Sequence, residues 1–173
     1  METAIIELSR RSVLCALSGS VALLAFNSSA AAQTIVKVSL WDKGEASMDG
    51  METAEMGLAM AGADMDMATM GITVDMPEIP AGEITFTVIN DSQEFYHSLS
   101  IAPVADVATE LPYLSDKMIV DEAAAGTVAR GKELRPHASG SVTVELQPGI
   151  YILFCNVGGH YVMGMWTLIT VTG

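Results

Sequence analysis

Three side-chain types that bind soft metal ions crowd one short stretch near the end of the chain. In CNVGGHYVMGMW, Cys155, His160 and Met165 follow one another with four residues between each pair. Together they offer a thiolate, an imidazole and a thioether, held by a single Gly-containing turn. Taken singly, each has a plainer reading, since a lone thiol serves as a small buried hydrophobe and a lone histidine as a satisfied surface group. Read together, they describe a metal site that lacks one ligand. A remote imidazole would complete it, and His97 in EFYHSLSI, flanked by Leu99 and Ile101, is the candidate. The third histidine, His137 in ELRPHASG, has no convergent partner near it in sequence and reads as a solvated turn residue.

Such ligands need rigid elements on either side. From Ile35 onward the chain is built of short alternating runs bounded by Gly, Pro and Asp, the pattern of half-buried strands in an antiparallel sandwich. The clearest are IVKVSLW (35–41), EITFTVIN (83–90) and SVTVEL (141–146). IYILFC (150–155) is apolar without alternation, which predicts a central strand buried on both faces, ending at the thiol. MWTLITVT (165–172) supplies a last strand, so the Cys–His–Met turn joins two strands. PAGE and QPGI are turn chemistry just ahead of two of these runs. Residues 105–125, with LPYL in their middle, are less regular and are expected to form a loop with a short helix. The fold class is all-β, a sandwich.

The first 32 residues read as a bacterial export signal: SRRSVL, an apolar stretch of about 14 residues, then SSAAAQ, which fits cleavage after Ala32. The pair Arg10 and Arg11 resembles a twin-arginine signal, although an ordinary Sec signal also carries basic residues there. The apolar stretch is shorter than the roughly 20 residues that span a bilayer, so no stable membrane anchor is expected. Leu14 stands where a lipid-attachment cysteine would want a small residue, so Cys15 is read as filler. Cleavage leaves 141 of 173 residues, one domain (33–173), whose only thiol is Cys155. Lys plus Arg number 8 against 21 for Asp plus Glu, and the charges of the leader cancel, so the net −13 belongs to the mature part. No nucleic-acid partner is expected, because phosphate binding needs a basic footprint. With half the residues hydrophobic and only 17% charged, the chain has enough apolar surface to fold.

Residues 48–76 depart from the strand pattern, with eight methionines in 29 residues among Ala, Gly, Asp and Glu. Methionine fills irregular gaps, so one reading is a loop or short helical flap over the sandwich. Thioethers also suit Cu(I), so the other is a transient copper site.

The ligand pattern resembles that of the cupredoxins, the small type 1 (blue) copper proteins, and the resemblance spans most of the mature chain. The Cys-four-His-four-Met spacing is similar to the long-loop rusticyanin and sulfocyanin branch, and VKVSLWDKG (36–44) resembles the opening strand of exported cupredoxin-like proteins. Leu134, Pro136, Gly140, Ser141, Leu146, Pro148, Gly149 and Tyr151 match the family's approach to the thiolate. The resemblance implies a Greek-key sandwich binding one copper. His97 would be the upstream equatorial ligand, Cys155 the thiolate, His160 the second imidazole and Met165 the weak axial thioether. Met163 is the rival for the axial place, and the longer-loop spacing favours Met165. Many members place Asn after the upstream histidine to tie the ligand loops together; this chain has Ser98, whose hydroxyl can still bond there.

A trigonal imidazole–imidazole–thiolate set with a long axial thioether lies between the geometries preferred by Cu(II) and Cu(I), which favours fast electron transfer. Four protein ligands leave no open position for substrate, and three histidines cannot build the second centre of a multicopper oxidase or nitrite reductase. The expectation is a periplasmic, monomeric electron carrier, not an enzyme, serving a redox partner such as a cytochrome or copper oxidase. The alternative is a periplasmic copper chaperone or buffer that uses the methionines for Cu(I).

Overall fold

The computed structural model describes residues 33–49 and 68–173. The expected leader and five of the eight clustered methionines (Met51, Met56, Met60, Met65 and Met67) lie outside the described residues. The elements are β1 (Thr34–Asp42), a single 3-10 turn (Glu45–Met48), β2 (Met70–Val74), β3 (Glu78–Pro80), β4 (Gly82–Asn90), β5 (Ser100–Val104), β6 (Tyr113–Leu114), β7 (Ile119–Val120), β8 (Ala129–Arg130), β9 (Ser139–Leu146), β10 (Gly149–Phe154) and β11 (Trp166–Thr172). Among the described residues no helix is long and apolar enough to cross a membrane.

Alternation in sequence becomes alternation in space. Val36, Val38 and Leu40 of β1 and Ile84, Phe86 and Val88 of β4 point inward, and their neighbours do not. One sheet runs β2-β1-β4-β9 and the other β3-β11-β10-β5-β8, with β6-β7 as a separate hairpin. The inner faces close on one core that includes Leu99, Ile101, Leu153, Cys155, Met163, Met165 and Ile169. The β-sandwich expected from the sequence forms, and both of its sheets are mixed rather than purely antiparallel. β1 lies parallel to β4, and β3 parallel to β11. Parallel neighbours cannot be joined by a tight turn, so these pairs unite strands from different parts of the chain, which alternation within a strand does not encode.

β10 lies at the centre of its sheet, as its unbroken apolar run predicts. Tyr151, Leu153 and Cys155 enter the main core, while Ile152 and Phe154 face a second cluster with Leu111, Val120, Tyr161 and Trp166. The outer face of this sheet is thus covered by residues 105–125. The short helix expected there does not form: the segment holds the β6-β7 hairpin and one turn, in which the Ala125 N–H donates to the Asp121 carbonyl (2.8 Å). Gly126, at φ +67°, takes the chain out of that turn before a second can follow.

The described ends of the methionine-rich segment pack rather than stand free. Met70 is fully buried on β2, and Met48 and Met76 lie against the main core. His137 is exposed in a turn with left-handed backbone (φ +60°), as expected of a turn residue.

Candidate metal centre

One end of the sandwich gathers the end of β1, the end of β4, the entry to β5 and the β10–β11 connection. Asn90, the last residue of β4, is fully buried and organises the segment that follows it. Its amide donates to the carbonyls of Phe95 (2.9 Å) and Leu134 (2.8 Å), and its Oδ1 accepts from the Ser92 N–H (3.0 Å). The Ser92 hydroxyl in turn accepts from the N–H groups of Glu94 and Phe95. His97 leaves this braced loop with its own N–H and carbonyl both paired to Leu134.

The second ligand loop is fixed as firmly. The Cys155 N–H donates to the Met165 carbonyl (3.0 Å), and the Met165 N–H to the His160 carbonyl (3.1 Å), so all three residues belong to one hydrogen-bonded loop. Gly159 and Gly164 take positive φ (84° and 93°) within it, a conformation that glycine adopts without strain. From outside, the Asn156 side chain clamps both backbone groups of Val120, and the Gly159 N–H donates to the Met118 carbonyl. The covering segment therefore braces the loop that carries Cys155 and His160.

His97, Cys155 and His160 come together as the sequence predicts, their donor atoms all within 4.8 Å of one another. Cys155 Sγ lies 3.5 Å from His160 Nδ1 and 4.0 Å from His97 Nδ1, and the two Nδ1 atoms are 3.1 Å apart. All three residues are buried, at 0%, 0% and 3% exposure, so water does not dilute their interaction. Met165 and Met163 are buried in the same core cluster as Cys155. Phe95 sets its ring edge-on to that of His160, with centroids 6.1 Å apart. Ser98 does the tying expected of the residue after the upstream histidine. Its N–H donates to Cys155 Sγ (3.3 Å), and its hydroxyl accepts from the Asn156 N–H (3.2 Å).

Burial governs the protonation of the cluster. It drives His160 down to about 4, with His97 adding to the effect and Asp42 opposing it. His97 is also lowered by burial, against the pull of Asp42. Burial pushes the Cys155 thiol up, against hydrogen bonds from the backbone of Ser98 and Val157. At neutral pH two uncharged imidazoles and a thiol thus turn their donor atoms toward one small, dry volume. Bonds of about 2.0–2.3 Å, as in zinc sites, let donors at these separations share a single ion, whose binding releases the thiol proton. The donor set, thiolate and imidazole with a buried thioether at hand, fits copper.

Three polar residues of this site escape a reading of the sequence. Asp42 ends β1, and its side chain, 1% exposed, places Oδ2 2.9 Å from His97 Nε2. Asn90 and Ser92 sit in a run, NDS, that reads as ordinary turn chemistry. Their one signal is polarity at the end of an alternating strand, a signal shared with many turns.

No family model matches the chain, and no curated protein matches it. Solved structures do. Rusticyanin from Thiobacillus ferrooxidans superposes with a TM-score of 0.51 at 19% identity, covering 81% of this chain and 77% of that one. Auracyanin B gives 0.50 at 20% identity, covering 82% of this chain and 90% of that one. Both are cupredoxins, and theirs is the fold of this chain.

Proposed function

We propose that this chain, with its cupredoxin fold, is a mononuclear type 1 copper protein that carries single electrons between larger redox partners. The observation that carries the proposal is the buried convergence of His97 Nδ1, Cys155 Sγ and His160 Nδ1 within 4.8 Å at one end of the sandwich. Bound there, copper supplies a one-electron couple between Cu(II) and Cu(I). His97, Cys155 and His160 would hold it, with Met165 as a weak thioether donor. The Asn90 and Asn156 clamps restrain the two ligand loops, so the donors keep their places when the charge of the site changes. Burial excludes water and leaves no opening for a substrate, which favours a carrier over an enzyme. The leader read from the sequence supports a periplasmic location, and a monomer that meets a cytochrome or copper oxidase transiently fits the acidic composition.

A second reading, a copper chaperone or buffer, rests on the methionines of residues 48–76. Because Met48, Met70 and Met76 pack against the core, that reading depends on the other five. Cu(I) titration separates the two, since a carrier stops at one equivalent and a buffer takes more.

The decisive experiment is the visible spectrum of the Cu(II)-loaded mature protein. An intense thiolate-to-copper band is expected, and Cys155→Ser removes it while the fold persists, because apolar burial rather than metal supplies the core. A colourless copper complex would overturn the proposal.

A further inference from the structure

Asp42 is the one carboxylate buried against the cluster among the described residues, and it comes from an element that supplies no ligand. β1 is an interior strand, paired to β2 and β4, so its last residue is held on a rigid backbone. Each oxygen of the Asp42 carboxylate meets a nitrogen. Oδ1 accepts from the Gly44 N–H (2.8 Å), and Oδ2 lies 2.9 Å from His97 Nε2. A backbone N–H on one oxygen and a ring nitrogen on the other suit an ionised carboxylate, which can only accept.

We propose that Asp42 is a positioning residue: its carboxylate takes the Nε2–H of His97, leaves Nδ1 as the free donor facing Cys155 and His160, and biases the site toward the more highly charged metal state. This inference rests on the copper reading given above for its second half only. The imidazole has two nitrogens and, when neutral, one proton. With that proton committed to Asp42, the lone pair at Nδ1 points to where the thiolate and the other imidazole converge, as carboxylate–histidine pairs do at metal sites. A buried negative charge one imidazole away from the ion stabilises Cu(II) more than Cu(I), because the attraction scales with the charge of the ion. Among the described residues no carboxylate hydrogen-bonds to His160, so the two imidazoles are chemically unequal.

Two measurements test this. In the metal-free wild-type protein, nitrogen NMR of the histidine rings should show His97 protonated at Nε2; protonation at Nδ1 overturns the proposal whether or not copper binds. In the copper-loaded protein, Asp42→Asn keeps the shape and an acceptor for Gly44 while removing the charge. Cu(II) affinity should then fall about 10- to 100-fold, the range for losing such a partner, and Cu(I) affinity by less. Each tenfold difference between the two losses raises the reduction potential by about 59 mV for a one-electron couple. Asp42→Ser should shift the potential the same way and stands in if the Asn variant does not fold. A folded variant with an unchanged potential overturns the electrostatic role. A wild-type protein that takes up no copper refutes the copper reading, and the NMR result then still decides how His97 is held.

Discussion

The metal-free cluster carries its own pH sensor, because His160 titrates at about 4 in the folded protein and near 6.5 in an unfolded chain. Between those values the unfolded chain binds more protons, so stability rises with pH across the window and is lost as pH falls through it. The metal-free protein is therefore expected to lose up to about 3 kcal/mol between pH 6.5 and pH 4, with His97 acting in the same direction. Denaturant midpoints at pH 7 and pH 4.5 measure this, and equal midpoints would contradict it. The methionines give a second test at this scale. Met165→Leu should retain copper and raise the reduction potential, since a weak axial thioether tunes more than it binds, while Met163→Leu should leave the potential nearly unchanged. Exchanged effects would move the axial assignment to Met163. His97, Cys155 and His160 were legible from residue type and spacing because metal ligation demands few kinds of side chain. Asp42 was not, since nothing in WDKG says that a strand end lies against a histidine 55 positions later.

At the scale of elements, the strand carrying Asp42 depends on a glycine in its neighbour. Trp41 of β1 faces Gly71 of β2, and its indole donates to Thr73 Oγ1 (3.1 Å). A Cβ at Gly71 would stand 2.5 Å from Cζ2 and 2.8 Å from Cε2 of that ring, closer than rigid groups can approach. Gly71→Ala should therefore force the indole aside and cost about 1–3 kcal/mol, the range for overpacking. Urea unfolding checks it, and a variant as stable as the parent would show that the ring relocates freely. The long strands, β1, β4, β9, β10 and β11, were readable because alternation, or its absence in IYILFC, reports which faces are buried. β8 and the β6-β7 hairpin, two residues per strand, are too short to carry a period, and the parallel neighbours depend on contacts across the whole chain. The short helix expected over 105–125 failed for a related reason: Gly126 and a covering role against β10 decide that segment, not its local propensity.

For the whole molecule, the net charge of −13 makes its field a property that partners must meet. At low salt the copper-loaded protein should exchange electrons faster with a small cationic redox reagent than with an anionic one of similar driving force. The difference should shrink as salt rises and the Debye length falls below about 10 Å. Stopped-flow rates with the two reagents decide it, and a gap insensitive to salt would remove the electrostatic contribution. The sheet order has a further consequence, for how the molecule comes into being. β1, the first strand, lies between β2 and β4, while β11, the last, lies between β3 and β10. A chain emerging from its amino end can pair β1 early, but the second sheet has a gap in its middle until the final seven-residue strand arrives. The turn bearing Cys155 and His160 is closed by that same strand. During synthesis the chain therefore keeps apolar strand faces uncovered until β11 is made, the kind of delay in which non-local β proteins aggregate. The metal cluster is correspondingly a mark of completion, assembled only when β1 and β11 have both found their places inside the sheets.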